Sequence, residues 1–263
     1  MRHYAIIVAA DLPSAAEVIS VVKKIAPTVD GVKIGVPTLL ETGVGILGKI
    51  RDLIPDKPLL IDLKIADIGF MGNDSWQGTN AKIIKSLEGT GATHVTVHGF
   101  PGPLSVAEAV GTAREIGVGV LLLPVMSHAG ARLFFSRPLS RSDVAYSTVR
   151  AGLDMALPLD ASCTDVTEGI LLLGEALDVA GYIGPATRPM ELERYRAVTQ
   201  RPIWCPGFGR QDRQGRNLEE QFRAWASIVG EASAAIVGST IINAPDPAEA
   251  ARVVAAMRDA AIA

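Results

Sequence analysis

Eight short apolar runs, distributed over the whole chain, most constrain the fold of this sequence. The stretches between them, such as Pro13–Val29 and Leu104–Ile116, carry apolar residues at helical spacing. This alternation predicts parallel strands connected by helices. The runs are Tyr4–Asp11, Val32–Val36, Leu59–Lys64, His94–Gly99, Gly119–Val125, Tyr182–Gly184, Pro202–Pro206 and Ala234–Gly238.

Eight strand–helix repeats in 263 residues fit a closed (β/α)8 TIM barrel of the α/β class, which we predict as a single domain over residues 1–263. A doubly wound open sheet permits the same alternation, but no GxGxxG fingerprint follows the first run. Two connections are longer than a minimal barrel needs, at residues 69–78 and 131–165. The first is either a lid or a loop packed on a neighbouring chain or helix, and the sequence assigns no role to the second.

The charge balance and the cysteines exclude several classes of protein. Lys and Arg total 25 against 28 for Asp and Glu, so no basic field is available to bind nucleic acid. The early apolar run ends at Asp11, which favours neither a signal peptide nor a membrane span and predicts a cytoplasmic protein. Cys163 and Cys205 lie far apart without CxxC spacing, and we expect them to be core thiols.

Charged residues end several of the predicted strands, at the face where barrels carry out chemistry. In the third run Asp62 and Lys64 alternate with apolar residues, so both project to the same side of the strand. Lys33 on the second strand would lie beside Asp62, and Asp11 ends the first strand. An isolated Asp-x-Lys is more typical of a structural ion pair, but charges on three adjacent strand ends indicate a site.

An array of this kind suits the formation and protonation of a carbanion. A lysine ammonium held among carboxylates is a positioned acid. A carboxylate beside the substrate disfavours a negative charge that leaves during the reaction, so it acts on the ground state more than on the transition state. Decarboxylation is the reaction that fits both properties.

The segment from Asp62 to Ile68 matches the DxKxxDI signature of orotidine 5′-phosphate decarboxylases, and the chain resembles the archaeal members of that family over nearly its whole length. Four further segments agree in order: Val32–Gly35, Val97–Gly102, Met126–His128 and Gly184–Pro189. The resemblance implies decarboxylation of orotidine 5′-monophosphate to uridine 5′-monophosphate in pyrimidine biosynthesis. It also implies a homodimer that needs no metal and no cofactor.

The resemblance assigns roles to the charged residues. Lys64 is the proton donor to C6 of the pyrimidine, and Asp62 crowds the substrate carboxylate. Lys33 completes the network and contacts the ribose, while Asp11 binds a ribose hydroxyl. Asp67 enters the active site of the partner subunit.

Other matching residues are assigned to the substrate and to the subunit interface. Ile68 and Thr79 join the cross-subunit contact, and Ser127 hydrogen-bonds the pyrimidine ring. Pro206 begins the loop after the seventh strand, where Gln211 matches a phosphate-contacting glutamine. His94 and His98 share a strand face but make only a weak metal site.

The sequence departs from the family after the eighth strand. There the resemblance predicts an arginine that binds phosphate, but the sequence has Gly238 followed by Ser239, and we predict both as substrate-binding residues. Replacement cations are available in the preceding loop at Arg210, which we favour, and at Arg213 and Arg216, although a solvated basic loop is the alternative.

This departure keeps other functions open. The chain could be a related lyase that acts on another nucleotide or on an unphosphorylated ligand. It could also be a magnesium-dependent aldolase that resembles hexulose-phosphate synthase, or a nucleotide-binding barrel without catalysis.

Overall fold

Eight parallel strands form one closed barrel in the computed structural model, which describes residues 4–72, 75–126, 135, 165–209 and 215–262. The strands follow one another in chain order around the barrel, and the first pairs with the eighth. All eight predicted strands are confirmed, and closure excludes the open doubly wound sheet. Their bounds are β1 Tyr4–Ala9, β2 Gly31–Gly35, β3 Leu59–Ile65, β4 His94–His98, β5 Gly119–Leu123, β6 Gly181–Ile183, β7 Ile203–Pro206 and β8 Ser233–Val237.

Helices connect the strands and cover the outside of the barrel. Several begin at the residues that favour helix starts: Ser14 caps α1 by accepting from the Glu17 N–H, and Asn217 and Glu220 form a capping box on α8. The helices in the described part of the chain are α1 Ala15–Ile25, α2 Val36–Thr42, α3 Ile46–Leu53, α4 Thr79–Lys85, α5 Pro103–Glu115, α6 Val166–Ala176, α7 Pro189–Val198, α8 Leu218–Val229, α9 Ser239–Ile242 and α10 Pro247–Ile262. None of these helices has the length and apolarity needed to cross a membrane.

The apolar core has two layers because the side chains of each strand alternate between the barrel interior and the helices. In β1, Ala5 and Ile7 fill the interior, whereas Ile6 and Val8 pack outward. The interior layer comprises Ala5, Ile7, Leu60, Leu121, Leu123, Ile183, Trp204, Ala234 and Ile236. Cys205 is fully buried in the outer layer, as expected for a core thiol, and burial raises its pKa to about 12. Cys163 lies outside the described residues.

In the connection after β3, the described residues around Met71 and Trp76 pair with each other and lie against α5. Met71 and Trp76 form an antiparallel bridge, and the buried Glu108 carboxylate on α5 accepts the Gly78 N–H at 2.6 Å. Met71 is half exposed, as is Phe70. The described part of this loop is therefore held against a helix. Of the second long connection, residues 131–165, only Phe135 and Asp165 lie within the described residues.

Candidate active site

Four charged residues at the carboxyl ends of β1, β2 and β3 form one continuous row. The Lys33 ammonium lies 2.8 Å from the Asp11 carboxylate and 3.2 Å from that of Asp62, and Lys64 lies 2.7 Å from Asp62. Parallel pairing produces this row, because Ala9 is opposite Lys33 and Gly35 is opposite Asp62. The expected placement of Lys33 beside Asp62 is confirmed, and negative and positive groups alternate along the row.

Lys64 reaches this row through a distortion of β3 that simple alternation does not contain. Its φ is +49°, in the left-handed region, and the pairing with β4 shifts register between Ile61 and Ile65. A bulge of this kind re-aims a side chain next to an active site, and a non-glycine residue in this conformation costs about 1–3 kcal/mol. Leu63 and Ile65 still pack outward against the helices. The ammonium of Lys64 therefore points into the mouth of the barrel.

Thr96 on β4 holds this distorted segment, a role that the sequence pattern did not predict. Its hydroxyl accepts the Lys64 backbone N–H at 2.8 Å and donates to Asp62 Oδ1 at 2.8 Å, and its side chain is buried. The available signal was a hydroxyl residue between Val95 and Val97 at the centre of a predicted strand, but its partners depend on the register of β3 against β4.

The electrostatics of the row keep Asp62 ionised. Burial raises the pKa of this carboxyl, but the opposing effects of Lys33 and Lys64, with hydrogen bonds from Lys64 and Thr96, are together larger, and the pKa lies below its usual range. The side chains of Lys33 and Asp62 are mostly buried, whereas that of Lys64 is 38% exposed. Lys64 is thus the member of the row most accessible to a ligand.

Asp11 is fixed by a close contact with a glycine backbone. Its Oδ1 accepts the Gly35 N–H at 2.6 Å, and a Cβ on Gly35 would come within 2.7 Å of the same oxygen. Gly35 therefore permits an approach that any larger residue would block. About a third of the Asp11 side chain remains exposed at the end of the row.

Asp67 and Ile68 follow β3 and Thr79 begins α4, but these residues do not join the row. All three are exposed, and the Asp67 carboxylate accepts the Ile68 N–H at 2.7 Å. Within the described residues, no hydrogen bond or ion pair connects Asp67 to Asp11, Lys33, Asp62 or Lys64.

The ends of β7 and β8 place Pro206, Gly238 and Ser239 on the same face of the barrel as the charged row. A cavity of about 530 Å³ is lined by Ser239 together with Gly209 and Arg216. Four of the other residues predicted to bind substrate lie outside the described residues: Ser127, Arg210, Gln211 and the alternative Arg213.

The two histidines of β4 are held neutral at opposite ends of the strand. Burial lowers the pKa of His94 to about 4. Burial, reinforced by Lys64, also lowers the pKa of His98 to about 4. His94 packs on Trp204 with ring centroids 4.7 Å apart. The described part of the chain contains no group of three or more His, Cys, Asp or Glu side chains arranged to bind a metal ion.

Comparison with known proteins relates the sequence and the structure of this chain to one enzyme family. A family model described as the Orotidine 5′-phosphate decarboxylase / HUMPS family matches residues 4–254. Orotidine 5′-phosphate decarboxylase of Methanococcoides burtonii is 29% identical over 249 residues, or 94% of each chain. The enzyme of Methanosphaera stadtmanae is 30% identical over 247 residues, or 93% of each chain. The crystal structure of the Methanocaldococcus jannaschii decarboxylase complexed with the inhibitor BMP superposes with a TM-score of 0.73 at 26% identity, covering 98% of this chain and 99% of that one.

Proposed function

This chain belongs to the Orotidine 5′-phosphate decarboxylase / HUMPS family, and we propose that it decarboxylates orotidine 5′-monophosphate to uridine 5′-monophosphate without a metal or cofactor. The similar proteins from Methanococcoides burtonii and Methanosphaera stadtmanae are orotidine 5′-phosphate decarboxylases. The observation that carries the proposal is the row Asp11–Lys33–Asp62–Lys64, with its accessible ammonium next to an ionised carboxylate. The product is a pyrimidine nucleotide, so the reaction belongs to pyrimidine nucleotide biosynthesis.

In the proposed mechanism Asp62 acts on the carboxylate end of the bond that breaks, and Lys64 acts on its C6 end. The substrate carboxylate lies near ionised Asp62, where like charges repel and the ground state is disfavoured. The C6–carboxylate bond breaks, carbon dioxide leaves, and the electron pair stays on C6. Lys64 Nζ then transfers a proton to C6 and recovers one from solvent. General acid catalysis of this kind contributes about 10²- to 10⁴-fold to a rate.

The rest of the row binds the ribose in this proposal. The exposed part of the Asp11 carboxylate accepts a ribose hydroxyl, and Lys33 contacts the same sugar from between two carboxylates. Lys33 also prevents direct repulsion between Asp11 and Asp62, which lie on either side of it. Ser127 is proposed to hydrogen-bond the pyrimidine ring, where negative charge develops.

The phosphate group is proposed to lie against Pro206, Gly238 and Ser239, with Gln211 and Arg210 from the loop after β7. Arg216 is the candidate cation for which the structure gives support, because it lines one cavity together with Ser239. A guanidinium there would supply the charge-assisted contact that serine cannot.

We further propose a cytoplasmic homodimer in which Asp67, Ile68 and Thr79 meet the active site of the partner subunit. Ile68 is 75% exposed, and Phe70 and Met71 are about half exposed. Apolar side chains exposed within one short segment favour burial by a second chain. The exposed carboxylate of Asp67 stands next to them. The cytoplasmic location is an expectation from the sequence.

The proposal is tested by the loss of orotidine 5′-monophosphate absorbance with purified protein in excess chelator. Turnover is expected, and Lys64→Ala should reduce it by about 10²- to 10⁴-fold because the proton donor is removed. Lys85→Ala is the matched control, since Lys85 lies on α4 in a solvated pair with Glu115.

Other outcomes of the same assay would contradict the proposal. Absence of turnover by a protein with a normal circular dichroism spectrum would reject the substrate. Turnover of sugar phosphates that requires added magnesium would favour the aldolase branch of the family. Binding of the nucleotide without turnover would indicate a barrel that only binds.

A further inference from the structure

Asn80, in the first turn of α4, is a completely buried polar residue that the proposed mechanism does not use. Its Oδ1 accepts the Asp67 backbone N–H at 3.1 Å, and its Nδ2 donates to the Asp67 carbonyl at 3.0 Å. One amide side chain thus pairs with both backbone polar groups of a single residue. Asparagine suits this position because it carries a donor and an acceptor on one planar group.

Ser105, in the first turn of α5, completes the arrangement. Its hydroxyl donates to the same Asp67 carbonyl at 2.5 Å and accepts from Asn80 Nδ2 at 3.1 Å. The carbonyl of Asp67 therefore uses both lone pairs on side chains that are almost fully buried. Two helices and one loop residue meet in this group, which we call the Asp67 clamp and define as Asn80, Ser105 and the backbone of Asp67.

The segment that the clamp holds has no regular structure of its own. Residues 66–70 belong to neither strand nor helix, and the side chain of Asp67 is exposed. Gly69 is pressed against α5 so closely that a Cβ would lie 2.3 Å from the Leu104 carbonyl oxygen. The backbone at Asp67 is thus fixed while its carboxylate is left accessible. The packing of α4 against α5 does not by itself require that buried side chains hydrogen-bond both backbone polar groups of one exposed loop residue.

We propose that Asn80 and Ser105 are positioning residues that orient the Asp67 carboxylate for the active site it enters. The inference rests on the proposed function, because only that function gives Asp67 a substrate or an active-site partner. An exposed carboxylate on an irregular segment would otherwise sample many directions. Fixing its backbone on two sides removes that freedom before the substrate binds, as preorganised catalysis requires.

The test compares Ser105→Ala and Asn80→Asp with a matched buried serine far from the site. Ser233 is such a control: it begins β8 at the opposite end of the barrel, is fully buried, and bonds the Val229 carbonyl and the Ile203 N–H. We expect kcat to fall by about 10- to 100-fold in the two clamp variants, because a misplaced catalytic group costs that much. Ser233→Ala should lower thermal stability by a similar amount to Ser105→Ala and leave kcat unchanged.

A double-mutant cycle separates positioning from general destabilisation. In an Asp67→Asn background, Ser105→Ala should cause no further loss of kcat, because the group it orients has already lost its charge. An equal loss in both backgrounds, or equal kcat values for Ser105→Ala and Ser233→Ala, would overturn the inference. If Asn80→Asp does not fold, Ser105→Ala decides the result.

A second readout does not depend on turnover. Amide hydrogen exchange over residues 66–70 should accelerate in Ser105→Ala and stay at the wild-type rate in Ser233→Ala. If the wild type does not convert orotidine 5′-monophosphate, the proposed function fails, and this exchange measurement still reports on the clamp. Equal exchange in both variants would reject the clamp itself.

Discussion

Asp62 is the residue on which the charge arrangement at the barrel mouth depends. One of its oxygens lies within 3.2 Å of two ammonium groups, and the other accepts the Thr96 hydroxyl. Without this carboxylate, Lys33 would retain only Asp11 as a partner among the described residues, and the Lys33 and Lys64 ammonium groups would repel each other with no anion between them, which is a costly arrangement for a mostly buried charge. The same ionised group is proposed to repel the substrate carboxylate, so one side chain serves both the folded state and the reaction.

Arg216 provides a prediction about phosphate binding. Arg216→Ala should raise the KM for orotidine 5′-monophosphate by at least about 10-fold, because a charge-assisted hydrogen bond is worth about 1.5–3 kcal/mol. Turnover of unphosphorylated orotidine should not change. Arg223→Ala is the control, since Arg223 lies on α8 in an exposed pair with Glu219. If the variant affects both substrates equally, the role of Arg216 is wrong and Arg210 becomes the residue to replace.

His94 predicts a loss of stability in mild acid. Its pKa is lowered from 6.5 to about 4 in the folded protein by burial, so between these values the unfolded chain binds a proton that the folded chain does not. The free energy of unfolding should therefore fall as the pH drops from about 6.5 towards 4, by at most about 1.4 kcal/mol per pH unit for this group. His94→Gln should flatten that dependence in urea unfolding measured at pH 7 and pH 5. An identical slope in the variant would contradict the assignment, with His98 as the remaining contributor.

At the scale of elements, the strands and much of the charged row could be predicted from the sequence. Each predicted strand agrees with the structure to within two residues, because apolar runs bounded by turns report burial directly. The alternation of side chains along a strand also predicted that Asp62 and Lys64 project to the same side of β3. It could not predict the left-handed backbone of Lys64 or its support by Thr96, because both depend on the register between two strands.

The contacts that hold loops were also beyond sequence reasoning. Neither Asn80 nor Ser105 was predicted from the sequence to be a functional residue. Their roles arise from the packing of α4 against α5, which brings residues 25 positions apart into hydrogen-bond contact. Periodicity predicts that a helix exists and which face is buried, but it does not predict which backbone atoms of a neighbouring loop that face will meet.

The packing of Trp76 on α5 gives a prediction about the free energy of unfolding, whose sign depends on that side chain. Gly111 lies within α5, where replacement by alanine ordinarily stabilises a helix by about 0.5–1 kcal/mol. Here a Cβ would come within 2.4 Å of Trp76 Nε1, so Gly111→Ala should destabilise the protein. In a Trp76→Ala background the same change should become stabilising. Urea unfolding of the four proteins measures both effects, and a stabilising Gly111→Ala with unchanged tryptophan fluorescence would show that Trp76 does not pack there.

Across the whole barrel, two pairs of cations at opposite ends have different partners. At the amino-terminal end Arg51 donates to the carbonyls of Ile54, Pro55, Lys57 and Gly91, and Lys57 donates to those of Ala26 and Val29. These contacts join the loops that precede β2, β3 and β4. At the carboxyl-terminal end Lys33 and Lys64 pair with carboxylates instead. The cations at the amino-terminal end hold backbone carbonyl groups of neighbouring loops in place, whereas the ion pairs at the carboxyl-terminal end leave charged groups available to a ligand.

The proposed homodimer makes the active site a property of two chains, and mixing inactive variants tests this directly. Lys64→Ala lacks the proton donor, and Asp67→Ala lacks the carboxylate that the partner receives, so each homodimer should be nearly inactive. A mixed dimer contains one site with Lys64 from one chain and Asp67 from the other. Random exchange of subunits in an equal mixture should therefore restore about a quarter of the wild-type activity.

The controls for this experiment concern assembly and the apolar surface beside Asp67. Phe70→Asp combined with Met71→Asp should shift the wild-type chain towards a monomer in analytical ultracentrifugation, because two half-exposed apolar side chains would bring charge into the interface. The same double change introduced into both inactive variants should prevent recovery of activity on mixing. A monomer with full activity, or a mixture that stays as inactive as its components, would place Asp67 outside the active site and confine catalysis to the Asp11–Lys33–Asp62–Lys64 row of one chain.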